Sequence, residues 1–243
     1  PERRKIFDKE MKGYEDSYRR KNDPEYAEKE KLKEEYIFIG RRKQLVDTLI
    51  SKGISDRNVL DAVGKLPRQY FIDSSFSQFA YDDKPFQIGS GQTISQPYTV
   101  ALQSQLLEVK KGDKILEVGT GSGYQACILD LLGAKVYTIE YQRALFDKTA
   151  KLLENLKFNK IKTFFGDGSL GLPQFAPFDK IIVTAAAPNI VQNLLQQLKI
   201  GGIMVVPAGE KEVQTMVKII KVGENNFQYQ NFGECKFVPL LGK

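Results

Sequence analysis

Three acidic side chains stand at the ends of three successive apolar runs: Glu117 in KILEVGTGSGY, Glu140 in KVYTIE and Asp167 in IKTFFGDG. Between the first two lies a glycine loop in which Gly119, Gly121 and Gly123 alternate with Thr120 and Ser122. Glycines directly after a strand permit a sharp turn into a helix and let backbone approach a ligand closely. An acid about twenty residues further on, as Glu140 is, can accept hydrogen bonds from both hydroxyls of a ribose. Asp167 then falls beside the expected adenine, with Gly168 next to it, and Thr184 closes the following run, FDKIIVT. Three acids at the carboxyl ends of neighbouring strands describe the ligand crevice of an open α/β sheet.

A crevice lined by acids suits a ligand that carries positive charge. S-adenosylmethionine has an ammonium, a sulfonium and a ribose, and little phosphate. A dinucleotide would want the spacing G-x-G-x-x-G, and Tyr124 stands where its last glycine would be. The core therefore reads as a methyltransferase. Asn/Asp-Pro-Pro-aromatic, the motif of amine-directed nucleic-acid methylation, is absent after the fourth strand, which ends TAAAP. Neither cysteine, Cys127 or Cys235, precedes a proline as a cytosine-attacking nucleophile would. Both read as free packing thiols.

The chain has no histidine, so imidazole bases, catalytic triads and histidine-held metals are excluded. No metal is expected. An acceptor that is already ionised at neutral pH needs no base, and a carboxylate meets that condition. On this reading no group in the mechanism titrates between pH 6 and 8, and the rate should vary little there.

A second cluster lies upstream in GSGQTISQPYTVA, residues 89–101. Its hydroxyls and amides sit around Ile94 and Pro97. Ser95 is placed to cap a helix that begins at Pro97. A helix start also favours an anion.

The elements that position these residues follow from hydrophobic period. From Lys114 onward, strands and helices alternate in the pattern of a parallel sheet covered on both faces. The strands are KILEV, KVYTIE, IKTFFGD, FDKIIVTAA, GGIMVVPAG and VQTMVKIIKVG, and the last two are expected to pair antiparallel. YQACILDLLG, ALFDKTAKLLENL and IVQNLLQQLK read as helices, and Ser55 is the cap expected for a helix ending before Pro67. Residues 1–36 carry equal numbers of acidic and basic side chains, so the net charge of +6 belongs to the remainder. Phe7, Met11, Tyr14 and Tyr18 form one helical stripe in that segment, and Asp23-Pro24 reads as the start of a further helix toward Gly53. No run is long and apolar enough for a membrane span, and no lysine cluster points to nucleic acid.

The GQTISQP stretch, the ILEVGTGSGYQACIL loop, GDGSLGLPQFAPFDKIIVTAAAP and the closing FVPL together resemble the protein-L-isoaspartate (D-aspartate) O-methyltransferase family, over about residues 41–240. The resemblance implies a seven-stranded, mostly parallel Rossmann-like sheet using S-adenosylmethionine. Charge and period divide the chain into a charged helical N-terminal extension over 1–36, a helical substrate side over 37–112 and a cofactor-binding sheet over 113–243. The activity implied is methylation of the free carboxylate of L-isoaspartyl and D-aspartyl residues in damaged proteins, in the cytoplasm. Such an ester collapses to a succinimide, whose hydrolysis restores some normal aspartate.

Carried over, Ser95 holds the substrate carboxylate, with Gln92, Thr93, Ile94, Pro97, Val238 and Pro239 around the substrate and Gln96 as a helper. The cofactor set is Glu117, Gly119, Thr120, Gly121, Ser122, Gly123, Glu140, Asp167, Gly168 and Thr184. Two departures are Gln69, where the family usually has histidine, and the charged segment 1–36, which has no counterpart in the family. The residues alone leave two alternatives open: another S-adenosylmethionine enzyme acting on a small acid or RNA, and a nucleotide-binding module without catalysis.

Overall fold

The computed structural model describes residues 23–209 and 212–242. The stripe of Phe7, Met11, Tyr14 and Tyr18 lies outside them. Helix α1 runs from Pro24 to Ser51 without a break at residue 36. Asp23 accepts from the Glu25 backbone N–H at 2.9 Å, the capping role expected of it. Contacts divide the chain between Gln44 and Leu45. Among the described residues no helix is long and apolar enough to cross a membrane.

In the second unit, helix α2 (Arg57–Lys65) is capped by Asp56, whose carboxylate accepts from the N–H groups of Asn58 and Val59. Ser55, the expected cap, instead gives its backbone N–H to Gln105 Oε1 at 2.7 Å. Val59, Leu60 and Val63 are buried, as their spacing requires. A short antiparallel hairpin follows, β1 (Phe86–Gly89) and β2 (Gln92–Ile94), and it leads into helix α3 (Pro97–Leu107).

The sheet holds seven strands: β3 (Lys114–Val118), β4 (Lys135–Glu140), β5 (Lys162–Phe165), β6 (Phe178–Val183), β7 (Leu198–Ala208), β8 (Gln214–Gly223) and β9 (Asn226–Cys235). Their order is β5-β4-β3-β6-β7-β8-β9. The first five are parallel, and β7–β8 and β8–β9 are antiparallel. Chain order reverses between β3 and β6, and the crevice at such a switch point is where an open α/β sheet takes its ligand. Leu116, Val118, Ile181, Val183, Met204 and Val206 form the core against one face of the sheet. The connecting helices α4 (Tyr124–Leu131) and α5 (Arg143–Asn155) occupy their expected places.

Helix α6 is shorter than its periodicity suggests, Gln192–Gln196 only. The Gln197 side chain, bonded to the Leu172 N–H and the Leu170 carbonyl, anchors that end of the chain to a neighbouring loop. Strand β7 then begins at once with Leu198.

Candidate active site

The glycine loop joins β3 to α4. Gly119 has φ +98°, and a Cβ there would sit 2.6 Å from Thr184 Oγ1, so a side chain is excluded on both counts. Gly123 has φ +84°, and a Cβ would meet Thr149 Cγ2 at 2.9 Å. The loop is tied down from three sides. Thr184 Oγ1 donates to the Gly119 carbonyl at 2.6 Å, Thr149 Oγ1 donates to the Gly121 carbonyl at 2.6 Å, and the Gly121 N–H donates to Glu140 Oε2 at 2.9 Å.

Glu140 is 6% exposed, and its other oxygen accepts from the Gln142 N–H at 2.9 Å. A carboxylate has about four lone-pair sites, so both oxygens can still accept from hydroxyls of a ligand. Glu117 has no exposed surface, and neither of its oxygens has a hydrogen-bond partner. Burial, with the Glu140 charge adding to it, pushes its pKa up to about 8, and the Thr138 hydroxyl offsets only part of this. Glu117 belongs to the cofactor set and not to the transfer step at Ser95, for which no titrating group is expected.

One cleft takes in Glu117, Gly119, Thr120, Gly121, Ser122, Glu140, Gly168 and Thr184 from the sheet side. Gln92, Thr93, Ile94 and Ser95 reach it from the hairpin side, and Val238 and Pro239 from the chain's closing segment. That segment is held by the loop after β6: Ala186 N–H donates to the Val238 carbonyl and Leu240 N–H to the Ala186 carbonyl, each at 2.8 Å. The Thr120 hydroxyl is spent on Thr138 at 2.7 Å, and Ser122 Oγ accepts from the Tyr124 N–H.

Four expected residues stay out of the cleft wall, Gln96 among them, which lines only the groove beside it. Pro97 is buried in the first turn of α3. Gly123 acts behind the loop through its conformation. Asp167 turns back to accept from the N–H and hydroxyl of Ser169, and Gly242 lies against it, which leaves Gly168 as the lining residue.

Ser95 does not cap α3. Gln96 occupies the cap position without a side-chain bond, and the Tyr98 N–H is taken by Asp83 Oδ1 at 2.8 Å. This capping from a distance frees the Ser95 hydroxyl, which makes no hydrogen bond within the described residues. It also occupies one of the two N–H groups that the helix start offers to an anion, since Pro97 has none. The Ser95 backbone is fixed by Arg68, whose Nη2 donates to its carbonyl at 2.8 Å. Arg68 also donates to the Ala80 carbonyl and lies over the Tyr124 ring. Gln69 accepts from the Tyr81 hydroxyl and does not line the cleft.

A groove adjoins the cleft, lined by Gln96, Tyr98, Lys236 and Phe237 among others. The two spaces share Thr93, Ser95, Thr184 and Val238. A ligand in one and a ligand in the other would meet at the Ser95 hydroxyl. Gln125, Tyr141, Leu240 and Leu241 also line the cleft, and sequence reading missed them. Tyr141 follows Glu140 directly, which was the available signal. Both cysteines are packed, and burial pushes their thiols up, that of Cys235 to about 11.

Residues 40–243 match the protein-L-isoaspartate(D-aspartate) O-methyltransferase (PCMT) family. The chain is 61% identical over 202 residues to a protein-L-isoaspartate O-methyltransferase of Flavobacterium johnsoniae, covering 83% of this chain and 94% of that one. It is 46% identical over 221 residues to a protein of the same name from Paracoccus denitrificans, covering 90% and 96%. Among solved structures, a protein-L-isoaspartate O-methyltransferase superposes with a TM-score of 0.74 at 28% identity, over 83% of this chain and 66% of that one. A beta-aspartate methyltransferase of Plasmodium falciparum, solved with S-adenosyl-L-homocysteine, gives 0.72 at 25% identity, over 82% and 98%. The family match, the relatives and the folded site agree: this chain belongs to the protein-L-isoaspartate(D-aspartate) O-methyltransferase family.

Proposed function

We propose that the chain transfers a methyl group from S-adenosylmethionine to the free carboxylate of L-isoaspartyl and D-aspartyl residues in proteins. The carrying observation is Ser95, whose unengaged hydroxyl stands where the acid-lined cleft and the open groove meet. When bound, S-adenosylmethionine supplies a methyl group on a sulfonium. The cleft fits it: a buried carboxyl without partners awaits a cation, and Glu140 retains free lone pairs for ribose hydroxyls.

The chain's own work is positioning. Ser95, with Thr93 beside it, donates to the substrate carboxylate and aims one oxygen into the cleft. Val238 and Pro239 cover the junction and keep water from it. Gln92 stands at the cleft edge, and the groove with Gln96, Tyr98 and Phe237 carries the flanking peptide. No proton has to be removed from an ionised carboxylate, which accounts for a site built without imidazole. Two free cysteines fit a reducing, cytoplasmic setting.

The test incubates the chain with methyl-labelled cofactor and two peptides of one sequence, one with aspartate and one with isoaspartate. Base-labile label, released as methanol, is expected from the isoaspartyl peptide alone. Label transferred equally to both peptides, or to neither, contradicts the assignment.

A further inference from the structure

The cleft has three walls, and they are not secured alike. The glycine loop is tied by Thr184, Thr149 and Glu140. The closing segment is held by two backbone bonds to Ala186. The third wall, Gln92 to Ile94, is one strand of the β1–β2 hairpin, which pairs with itself and not with the seven-stranded sheet. A lone two-stranded ribbon is marginally stable in water. Each of its strands buries one side chain, Ile88 in β1 and Ile94 in β2. A cavity of about 430 Å³ lies between β1 and α5, lined by Phe71, Phe76, Gln87, Ile88, Leu145 and Leu152 among others. The ribbon is therefore not packed down along its length, the condition for opening locally while the sheet stays intact.

The feet of the hairpin are fixed. Asp83, just before it, pairs with Lys52 at 2.6 Å and accepts from the Tyr98 N–H. Just after it, the Ser95 carbonyl accepts from Arg68. The tip is held differently. Gly89, Ser90 and Gly91 have φ +98°, +54° and +67°, and Ser90 takes up that conformation without the freedom of glycine. The Ser90 carbonyl accepts from Gln142 Nε2 at 3.0 Å. A longer contact runs from Lys148 Nζ to the Ile88 carbonyl at 3.4 Å. Gln142 occupies the cap position of α5, yet its side chain makes no capping bond there. Its backbone N–H donates to Glu140, so the residue that grips the tip is seated on an acid of the cofactor cleft. The Gln142–Ser90 bond is exposed, and a hydrogen bond that water can replace is weak enough to open often.

We propose that the β1–β2 hairpin is a flap that swings on its feet at Asp83 and Ser95 to admit and release the cofactor, and that the Gln142–Ser90 bond is its latch. Gln142 does not line the cleft. It is a positioning residue that sets how long β2 stays against the ligand. The swing takes Gln92, Thr93 and Ile94 off the cleft and leaves Ser95 on its Arg68 support. Lids of this kind open on microsecond to millisecond timescales, and their opening can limit turnover. The inference rests on the cofactor assignment.

Two measurements on the full chain test it. Surface plasmon resonance reads association and dissociation of S-adenosylhomocysteine. Gln142→Ala should raise both rate constants about three- to tenfold and keep Kd within about twofold, because the latch closes the empty and the filled cleft alike. Gln142→Glu, of the same length but without the donor, should also speed both. Hydrogen exchange on the empty protein should show residues 86–94 exchanging faster than β3 and β6, and faster again in Gln142→Ala, with β3 and β6 unchanged. Unchanged rate constants in both variants overturn the latch. A faster dissociation alone, with Kd rising in step, would make Gln142 a ligand contact and overturn it too. Hairpin amides as protected as those of β3 in the wild type overturn the flap, as does exchange accelerated across the whole sheet in Gln142→Ala. Failure of S-adenosylhomocysteine to bind any of the three proteins strikes the cofactor assignment, and hydrogen exchange still decides the flap.

Discussion

Arg68, a side chain with no exposed surface, donates a 2.8 Å hydrogen bond to the carbonyl of Ser95. Its Nε reaches the Ala80 carbonyl at 3.0 Å, so one planar fork holds two chain segments together. The Ser95 hydroxyl thus stands on a backbone fixed from behind. Lysine has no such fork. Arg68→Lys should destabilise the fold by about 1–3 kcal/mol, the scale of a buried carbonyl left unpaired. It should lower kcat/KM for an isoaspartyl peptide at least tenfold and leave affinity for S-adenosylhomocysteine within twofold. Urea unfolding and calorimetry check the two halves. Cofactor affinity falling as far as kcat/KM would place Arg68 behind the cofactor cleft rather than behind Ser95.

Glu140 holds the Gly121 N–H and is proposed to hold the ribose. Glu140→Ala should weaken S-adenosylhomocysteine binding by about 1–3 kcal/mol, read by calorimetry. Unchanged affinity would mean that the ribose lies elsewhere.

The empty protein should respond to pH through Glu117. Its folded pKa, about 8, lies above the ordinary value of 4.5. A group raised in this way contributes stability that is complete below pH 4.5 and is lost as pH rises to about 8. Between pH 5.5 and 8 this group should remove on the order of 3 kcal/mol, seen as a fall in the urea midpoint. Glu117→Gln should remove that part of the pH dependence. A wild-type midpoint that rises across this range in step with Glu117→Gln would show the carboxyl to be ionised in the fold.

Much of this was legible in the sequence, and the parts that were not have physical reasons. KILEV and KVYTIE are apolar runs buried on both faces, so period and length located them as strands. Strand β9 eluded the same reading because it is a sheet edge: most of its side chains are exposed, Tyr229 and Phe232 among them. The cap of α3 comes from Asp83, remote in sequence, and no local pattern announces a bond of that kind. The acids Glu117 and Glu140 were found because their strand ends are conspicuous. Gln125 was not, since its place at the cleft wall depends on how α4 packs against Ser104 of α3.

Deleting residues 1–30 should leave S-adenosylhomocysteine affinity nearly intact, because every residue assigned to the cofactor cleft lies beyond Gln92. A truncated protein that remains folded by circular dichroism yet no longer binds would make the N-terminal segment part of the site.

The central claim is that Ser95 orients an already ionised carboxylate and neither attacks nor abstracts a proton. Steady-state kinetics of the wild type and Ser95→Ala on an isoaspartyl peptide, from pH 6 to 8 at saturating cofactor, test it directly. The account predicts a nearly flat wild-type kcat and a ~10- to 1000-fold lower kcat/KM in Ser95→Ala, the range for losing one oriented donor. A wild-type rate that climbs steeply near neutrality, with the climb abolished in Ser95→Ala, would contradict it.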